Sequence, residues 1–234
     1  LFVMEKIAIS STKGGVGKSS LTVLLAKHFQ SKGLKIGIVD ADIYGPNILR
    51  LLDFEHKQHE LILKKNNLFE PVVIEEIALS SMSFVIDQSQ AAAWRGPMLS
   101  SAIKQIITKV EWGNLDLLLI DMPPGTGDAY LTIFDEIKIK KSLLVAVDDE
   151  LSIDDLKKTV NLLNKLNVNQ LGIVENLSEK FQLGDKPIFS KKIKAEFPNH
   201  KPLFSIPRVP KNMFYKEIRK ISKLKDYFPD KLLF

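Results

Sequence analysis

Short apolar runs rich in β-branched side chains alternate along the chain with stretches of helical periodicity. The runs predict strands at residues 6–10, 35–40, 116–121, 142–147, 171–174 and 203–206. Helical periods lie between most of these runs, and the clearest, at 152–166, repeats apolar side chains at Ile153, Leu156, Val160 and Leu163. Ser152, followed by Asp155, predicts the N-cap of that helix. The alternation predicts an α/β fold, with a mostly parallel sheet and helices on both faces.

Two stretches depart from this rhythm. Residues 53–90 predict a small strand-rich insertion, because their apolar runs are short and lie at 61–63, 68–74, 77–79 and 84–86. No linker rich in Pro, Ser or Gly brackets the insertion, so we expect a single domain over residues 1–234. Residues 211–234 predict a C-terminal helix and tail, with one apolar and one basic helical face. We favour packing of this helix on the sheet over attachment to an anionic membrane surface.

The stretch between the first strand and the first helical pattern predicts a phosphate-binding loop. Its glycines leave no Cβ in the way, so successive backbone N–H groups can curl around phosphate oxygens. The following helix points the positive end of its dipole at the same anion. Lys18 would bind the β- and γ-phosphates, and the Ser19 hydroxyl would be one ligand of Mg²⁺. We therefore expect ATP and Mg²⁺, held by Gly14, Gly15, Val16, Gly17, Lys18, Ser19 and Ser20.

Acidic residues follow two predicted strands at their carboxyl ends, where an open parallel sheet binds its ligand. Asp40 and Asp42 come after the second strand, and such a pair can divide two tasks, supporting the Mg²⁺ shell and orienting the attacking water. Asp121 ends a strand of four apolar residues, the position from which an aspartate reaches Mg²⁺ through water. Gly125 then offers its N–H to the γ-phosphate, in a Pro- and Gly-rich switch that ATP orders.

The loop departs from the standard pattern G-x-x-x-x-G-K-[ST] at its first position, which is Thr12 here, and Lys13 follows. The sequence KGGVGKS at 13–19 resembles the deviant loop of the MinD/ParA-like ATPases. In those enzymes the extra lysine reaches across a homodimer to the other subunit's nucleotide, and the later aspartate of the pair orients water. The resemblance implies that Lys13 acts in trans, that Asp42 is the catalytic aspartate, and that Asp40 belongs to the metal's outer shell.

Four further motifs narrow the resemblance, namely DADIYGPN at 40–47, WRGPM at 94–98, IDMPPGTGD at 120–128 and GIVENLS at 172–178. With the loop, they resemble in their order the Mrp family of iron–sulfur cluster carrier ATPases, over most of residues 4–178. The family implies a homodimer that holds two ATP molecules and hydrolyses them slowly. It also implies that Asn176 contacts the adenine and that Pro207 and Arg208 line the base pocket.

The chain contains no cysteine, which excludes disulfides and thiolate ligands within it. Cluster-carrying members of the family have a Cys-x-x-Cys shortly after the Asn-[LM]-Ser run, at about the positions of Phe181 and Gly184 here. Neither side chain can replace the soft thiolates that iron–sulfur clusters need. His56 and His59 can share a helix face, but no third ligand is nearby, so we interpret them as solvated. An iron–sulfur cluster is then expected only through a client or a cysteine-bearing partner protein.

Composition and charge limit the remaining classes of function. No apolar run approaches the ~20 residues of a membrane helix, so we expect a cytoplasmic protein. The net charge of +5 comes largely from the carboxyl-terminal part, which we interpret as a solvated face, so membrane and nucleic acid are not expected partners. A MinD/ParA-type positioning ATPase that binds membrane or nucleic acid is the alternative. Trp94 and Arg95, before Pro97 at a predicted helix start, are either dimer-interface residues or a buried Trp beside a surface Arg.

Overall fold

The structure is a computed structural model that describes residues 4–54, 62–64, 67–85, 96–178 and 189–208. Its strands are β1 (Glu5–Ser10), β2 (Ile36–Asp40), β3 (Ile62–Leu63), β4 (Phe69–Glu70), β5 (Val72–Ile74), β6 (Ile77–Ser81), β7 (Leu117–Asp121), β8 (Lys141–Ala146), β9 (Asn169–Ser178) and β10 (Pro202–Pro207). Eight of these strands form one sheet in the order β10-β9-β8-β1-β7-β2-β6-β5. All neighbours in it are parallel except β5 and β6. The predicted α/β sheet is confirmed, and each of the six predicted strands is present.

Helices connect most of these strands. Those in the described part of the chain are α1 (Lys18–Ser31), α2 (Ile48–Leu51), α3 (Pro97–Thr108), α4 (Asp128–Tyr130), α5 (Glu150–Lys165) and α6 (Lys191–Glu196). A 3₁₀ turn covers Met82–Phe84, and a π-helical turn at Leu131–Glu136 continues α4. The strands β2, β6 and β7 are buried along their whole length. Burial of both alternating sets of side chains is typical of a parallel sheet whose two faces are covered.

The start of α5 differs from the prediction. Asp149, not Ser152, is the N-cap, because Asp149 has an extended backbone and its Oδ1 accepts the N–H of Ser152 at 3.0 Å. The Ser152 hydroxyl instead accepts the N–H of Val147 at 3.2 Å. A stronger acceptor three residues upstream therefore takes the cap position, and the helix begins three residues earlier, at Glu150.

Part of the predicted strand-rich insertion at 53–90 belongs to the main sheet. Its runs at 68–74 and 77–79 supply the β5–β6 hairpin, which completes the main sheet because β6 pairs in parallel with β2. Among the described residues of the insertion, β3 and β4 form a separate antiparallel pair. Of the apolar run at 84–86, Phe84 ends the 3₁₀ turn.

Strand register brings the candidate residues together. The central strand β1 lies between β7 and β8, and Ile9 of β1 is level with Asp121 of β7. On the other side of β7, Asp40 of β2 is level with the same Asp121. The loop after β1 and the two strand-end aspartates therefore lie at one edge of the sheet.

Several predicted features fall outside the described residues. They are the C-terminal helix and tail at 211–234, His56, His59, Trp94, Arg95, Phe181 and Gly184. Within the described residues, no helix combines the length and apolar character needed to cross a membrane.

Candidate phosphate-binding site

The loop from Ser11 to Gly17 turns the chain from β1 directly into α1. Gly17 is the N-cap of α1 and has a left-handed backbone, with φ of 89°. A Cβ at this position would lie 2.2 Å from Nδ2 of Asn176, so both the backbone and the space require glycine. The N–H groups of Lys18, Ser19 and Ser20 form the first turn of α1 and have no preceding turn to bind. They are free to face an anion, and the helix dipole has the sign that favours one.

Lys18 is the buried cation of this loop. Its Nζ donates to the carbonyl oxygen of Lys13 at 3.0 Å, and the residue is only 7% exposed. Burial lowers the pKa of Lys18, while the negative charges of Asp121 and Asp42 act in the opposite direction. The side chain is thus held between the loop and the two carboxylates, where a phosphate oxygen can replace the Lys13 carbonyl.

Asp121 is fully buried at the end of β7. Its Oδ1 accepts the Thr22 hydroxyl at 3.5 Å, and its Oδ2 has no hydrogen-bond partner among the described residues. Burial raises the pKa of Asp121 to about 7, against the opposing effects of the Ser19 hydroxyl and the Lys18 charge. The carboxylate therefore gains from any cation that approaches it.

The two aspartates after β2 have different surroundings. Asp40 is fully buried, and its oxygens accept the N–H groups of Asp42 and Ile48, each at 3.3 Å. Burial, followed by the charge of Asp121, raises the pKa of Asp40 well above its usual range. Asp42 is only partly buried, and its Oδ1 accepts the N–H groups of Tyr44 at 3.0 Å and Gly45 at 3.2 Å. The loop after β2 thus holds Asp42 by one oxygen.

The donor set fits Mg²⁺ only in combination with a ligand. No group of three or more His, Cys, Asp or Glu side chains within the described ranges could hold a metal by itself. No described residue forms a hydrogen bond with the buried Oδ2 of Asp121, and the Ser19 hydroxyl lies against the same carboxylate. Mg²⁺ prefers an oxygen shell that it completes with water and substrate phosphates. Ser19 and Asp121 have the oxygen atoms that could supply the protein part of such a shell.

Thr12 and Lys13, at the entrance of the loop, each form a hydrogen bond with another part of the protein. Lys13 Nζ pairs with both carboxylate oxygens of Asp149, at 2.8 and 3.1 Å, and this hydrogen bond lowers the pKa of Asp149. The backbone N–H of Gly125 donates to the carbonyl oxygen of Thr12 at 2.8 Å. A γ-phosphate that accepts the Gly125 N–H must therefore replace the Thr12 carbonyl as its acceptor.

The residues predicted for the base pocket lie behind the loop and at the neighbouring strand ends. Asn176 is 5% exposed, and its Nδ2 donates to the carbonyl oxygen of Val16 at 2.8 Å. Pro207 ends β10 opposite Ser178, and the N–H of the exposed Arg208 donates to the Ser178 carbonyl at 3.0 Å. Asn176 thus contacts the loop directly, whereas Pro207 and Arg208 are tied to the end of β9.

Sequence reasoning missed three residues of this site. Thr22 contacts Asp121, and its position one helical turn after Lys18 was the signal that it shares a face with the lysine. Asp149 is a strand-end acid like Asp121, but its importance depends on β8 lying beside β1. Thr159 accepts the N–H of Thr12 at 3.1 Å from a helix 147 residues away, and no local pattern indicates this contact.

Taken together, a glycine-rich loop between a buried strand and a helix, with a buried strand-end aspartate opposite its lysine, defines a P-loop NTPase. The ParA family model, described as NUBPL iron-transfer P-loop NTPase, matches residues 2–218. The chain therefore belongs to the family of NUBPL iron-transfer P-loop NTPases.

Individual relatives agree with this assignment. An iron–sulfur cluster carrier protein of Synechocystis is 42% identical over 177 residues, which cover 75% of this chain and 50% of the relative. A nucleotide-binding protein from Archaeoglobus fulgidus in complex with ADP has a similar structure, with a TM-score of 0.73 and 31% identity over 97% of this chain and 89% of that one. The septum site-determining protein MinD of Pyrococcus horikoshii with Mg-ADP shares the fold, with a TM-score of 0.70, 22% identity, and coverage of 95% and 89%.

The chain spans only part of its curated relatives. It covers 47% of the length of the relative from Haemophilus influenzae and 61% of that from Methanocaldococcus jannaschii.

The raised pKa of Asp121 predicts a pH dependence of stability. An unfolded Asp ionises near 3.8, whereas Asp121 in the folded protein keeps its proton up to about 7. The folded state then binds more protons between these values, so the free energy of unfolding should fall as pH rises from about 4 to about 7. Each pKa unit corresponds to about 1.4 kcal/mol.

Urea unfolding at a series of pH values, in buffer with EDTA, measures this fall. Asp121→Asn should make the dependence shallower, while Asp154→Asn, at an exposed position on α5, should leave it unchanged. A slope in Asp121→Asn equal to that of the parent would contradict the assignment.

Proposed function

We propose that this chain binds Mg²⁺·ATP as a homodimer, hydrolyses it slowly, and uses the nucleotide state to gate delivery of iron–sulfur clusters. The observation that carries the nucleotide part is the meeting of Lys18, Ser19 and Asp121 at the carboxyl ends of β1 and β7. The iron–sulfur part is supported by membership of an iron-transfer family and by relatives named as cluster carriers.

In this proposal ATP binding is an exchange of contacts. Phosphate oxygens take Lys18 Nζ from the Lys13 carbonyl and the Gly125 N–H from the Thr12 carbonyl. Each neutral acceptor is replaced by a charged one, and charge-assisted hydrogen bonds are about twice as strong as neutral ones. The backbone of Gly14 to Ser20 supplies the remaining donors. Asn176, Pro207 and Arg208 are assigned to the base pocket.

Asp42 is assigned to the attacking water. Because two loop N–H groups bind its Oδ1, the carboxylate has a set orientation and Oδ2 is left for the water. Asp40, whose two oxygens accept the N–H groups of Asp42 and of Ile48 at the start of α2, holds that loop in place and belongs to the outer shell of the metal. The two carboxylates thus have separate tasks.

Lys13 is assigned to the nucleotide of the partner subunit. To reach it, Lys13 must leave Asp149, and the side chains of this pair are 27% and 42% exposed. Ion pairs this open to solvent contribute about 1 kcal/mol or less, so the exchange costs little. Hydrolysis then requires two chains, because neither monomer completes its own site.

The cysteine ligands of the cluster are assigned to a client or partner protein. These 234 residues contain no cysteine. Because cluster iron is held by thiolates, a partner must supply them and the ATPase gates the transfer. The alternative of a positioning ATPase on membrane or nucleic acid rests on the basic C-terminal third of the chain, and its part from residue 209 onward lies outside the described residues. The single domain and the cytoplasmic location stay predictions.

Lys13→Ala tests the trans lysine. We expect ATP affinity of the monomer to stay within about twofold and kcat to fall at least about tenfold, because a cation that stabilises the transferred phosphoryl group is lost. Calorimetry gives the affinity, and phosphate release gives the rate. Lys109→Ala, at an exposed lysine, is the charge-matched control. Lys18→Ala should abolish ATP binding. Unchanged turnover in Lys13→Ala would mean that no trans lysine exists.

Asp42→Asn tests the water-orienting residue. Asparagine keeps an acceptor for the N–H groups of Tyr44 and Gly45, so the loop should retain its shape. We expect ATP affinity to change little and kcat to fall by roughly a hundredfold, the contribution typical of a general base. Hydrolysis at the parental rate would overturn the role of Asp42.

Anaerobic reconstitution with iron and sulfide tests the external thiolates. The chain alone should acquire no cluster, as measured by visible absorbance and bound iron after desalting, because it lacks thiolates. A stable cluster in stoichiometric amount on the chain alone would contradict the proposal that the ligands come from another protein.

A further inference from the structure

Thr12 occupies the position where the standard loop pattern has glycine, and all its polar groups are used. Its N–H donates to Thr159 Oγ1 at 3.1 Å, and its hydroxyl donates to the Asp155 carbonyl at 2.7 Å. Its own carbonyl accepts the N–H of Gly125 at 2.8 Å. Thr12 is therefore hydrogen-bonded both to α5 and to the switch segment that contains Gly125.

The contact with α5 depends on a side chain. Thr159 is fully buried, and its hydroxyl lies 3.2 Å from the Thr12 hydroxyl and 3.1 Å from the Asp155 carbonyl. The one proton of Thr159 serves either acceptor, while its oxygen receives the Thr12 N–H. Glycine at position 12 could keep the main-chain bond to Thr159, but it could not bind Asp155.

Helix α5 holds the next residue of the loop as well. Lys13 pairs with Asp149, the N-cap of α5, so the first two loop residues are both docked along this helix. The phosphate cradle from Gly14 onward is built instead on the first turn of α1. The entrance of the loop and its cradle thus have separate supports.

We propose that Thr12 is a positioning residue that docks the loop entrance on α5 and so sets Lys13 and Gly125 for hydrolysis without contacting phosphate. The proposal rests on the ATP hydrolysis proposed above. When the γ-phosphate takes the Gly125 N–H, Thr12 loses only that bond and stays in place through its two bonds to α5. Its effect should therefore appear in kcat, because binding depends on the cradle supported by α1.

Three substitutions at Thr12 separate the hydroxyl from the size of the side chain. Thr12→Val keeps the shape and loses the hydroxyl, and it leaves no buried acceptor unpaired because Thr159 can still donate to Asp155. Thr12→Ser keeps the hydroxyl, and Thr12→Gly restores the standard pattern. Thr108→Val is the matched control, since it removes a hydroxyl that bonds the Lys104 carbonyl on another helix.

For each variant we would measure ATP affinity, kcat, and the hydrogen exchange of backbone amides at the loop entrance. Thr12→Val and Thr12→Gly should keep ATP affinity within about twofold, lower kcat about tenfold and exchange faster at residues 12 and 13, as expected for a lost positioning contact. Thr12→Ser and Thr108→Val should match the parent in all three. Thr159→Val removes the acceptor of the Thr12 N–H, so it should also lower kcat and speed exchange at residues 12 and 13. The double variant should lose more than either single one, because Thr159 can no longer compensate for the missing Thr12 hydroxyl.

Two results would overturn the role of Thr12. One is parental kcat and exchange in Thr12→Gly, and the other is a loss of kcat in Thr12→Val that Thr12→Ser shares. If the parent itself does not hydrolyse ATP, the proposed function fails, but the exchange data still decide the docking. Equal exchange in the parent and in Thr12→Val would then reject it.

Discussion

The structure depends on the opposition of one buried lysine and one buried carboxylate. Asp121 is removed from water at the end of β7, level with the equally buried Asp40 of β2. Burial raises the pKa of Asp121 to about 7, because taking a carboxylate out of water costs several kcal/mol unless a cation offsets its charge. Lys18 supplies part of the offset, and the remaining deficit is what Mg²⁺ would satisfy. A residue pair that is unfavourable for folding alone is thus well suited to binding a cation with its phosphate ligand.

The loop around this pair is arranged for exchange. The donors that would face a phosphate now bind neutral acceptors. Lys18 Nζ donates to the Lys13 carbonyl, and the Gly125 N–H donates to the Thr12 carbonyl. A phosphate can displace such partners because it offers charged acceptors in the same places. The contacts that do not need to exchange are more deeply buried, including that of Asn176 with Val16. Hydrogen bonds on the ligand side can exchange their acceptors, while the buried hydrogen bonds behind the loop maintain its shape.

Much of the fold could be predicted because the signal for a strand is local. A run of four or five β-branched or aliphatic residues predicts a buried strand whichever strands it pairs with. The position of the strand-end aspartates then follows from the topology of a parallel sheet. The pairing of strands could not be predicted, because a short apolar run such as 77–79 has the same pattern whether it belongs to an insertion or to the main sheet. Contacts such as Thr12 with Thr159 and Lys13 with Asp149 depend on α5 and β8 lying beside β1. No pattern near either partner carries that information.

Isothermal titration calorimetry with ATP, in Mg²⁺ and then in EDTA, measures whether metal and nucleotide bind at this site as one unit. If Lys18 and Asp121 together hold a metal–phosphate unit, one ATP should bind per chain, and removal of Mg²⁺ should weaken binding by about tenfold or more. Absence of binding heat with Mg²⁺ present, or equal affinity under both conditions, would contradict the account.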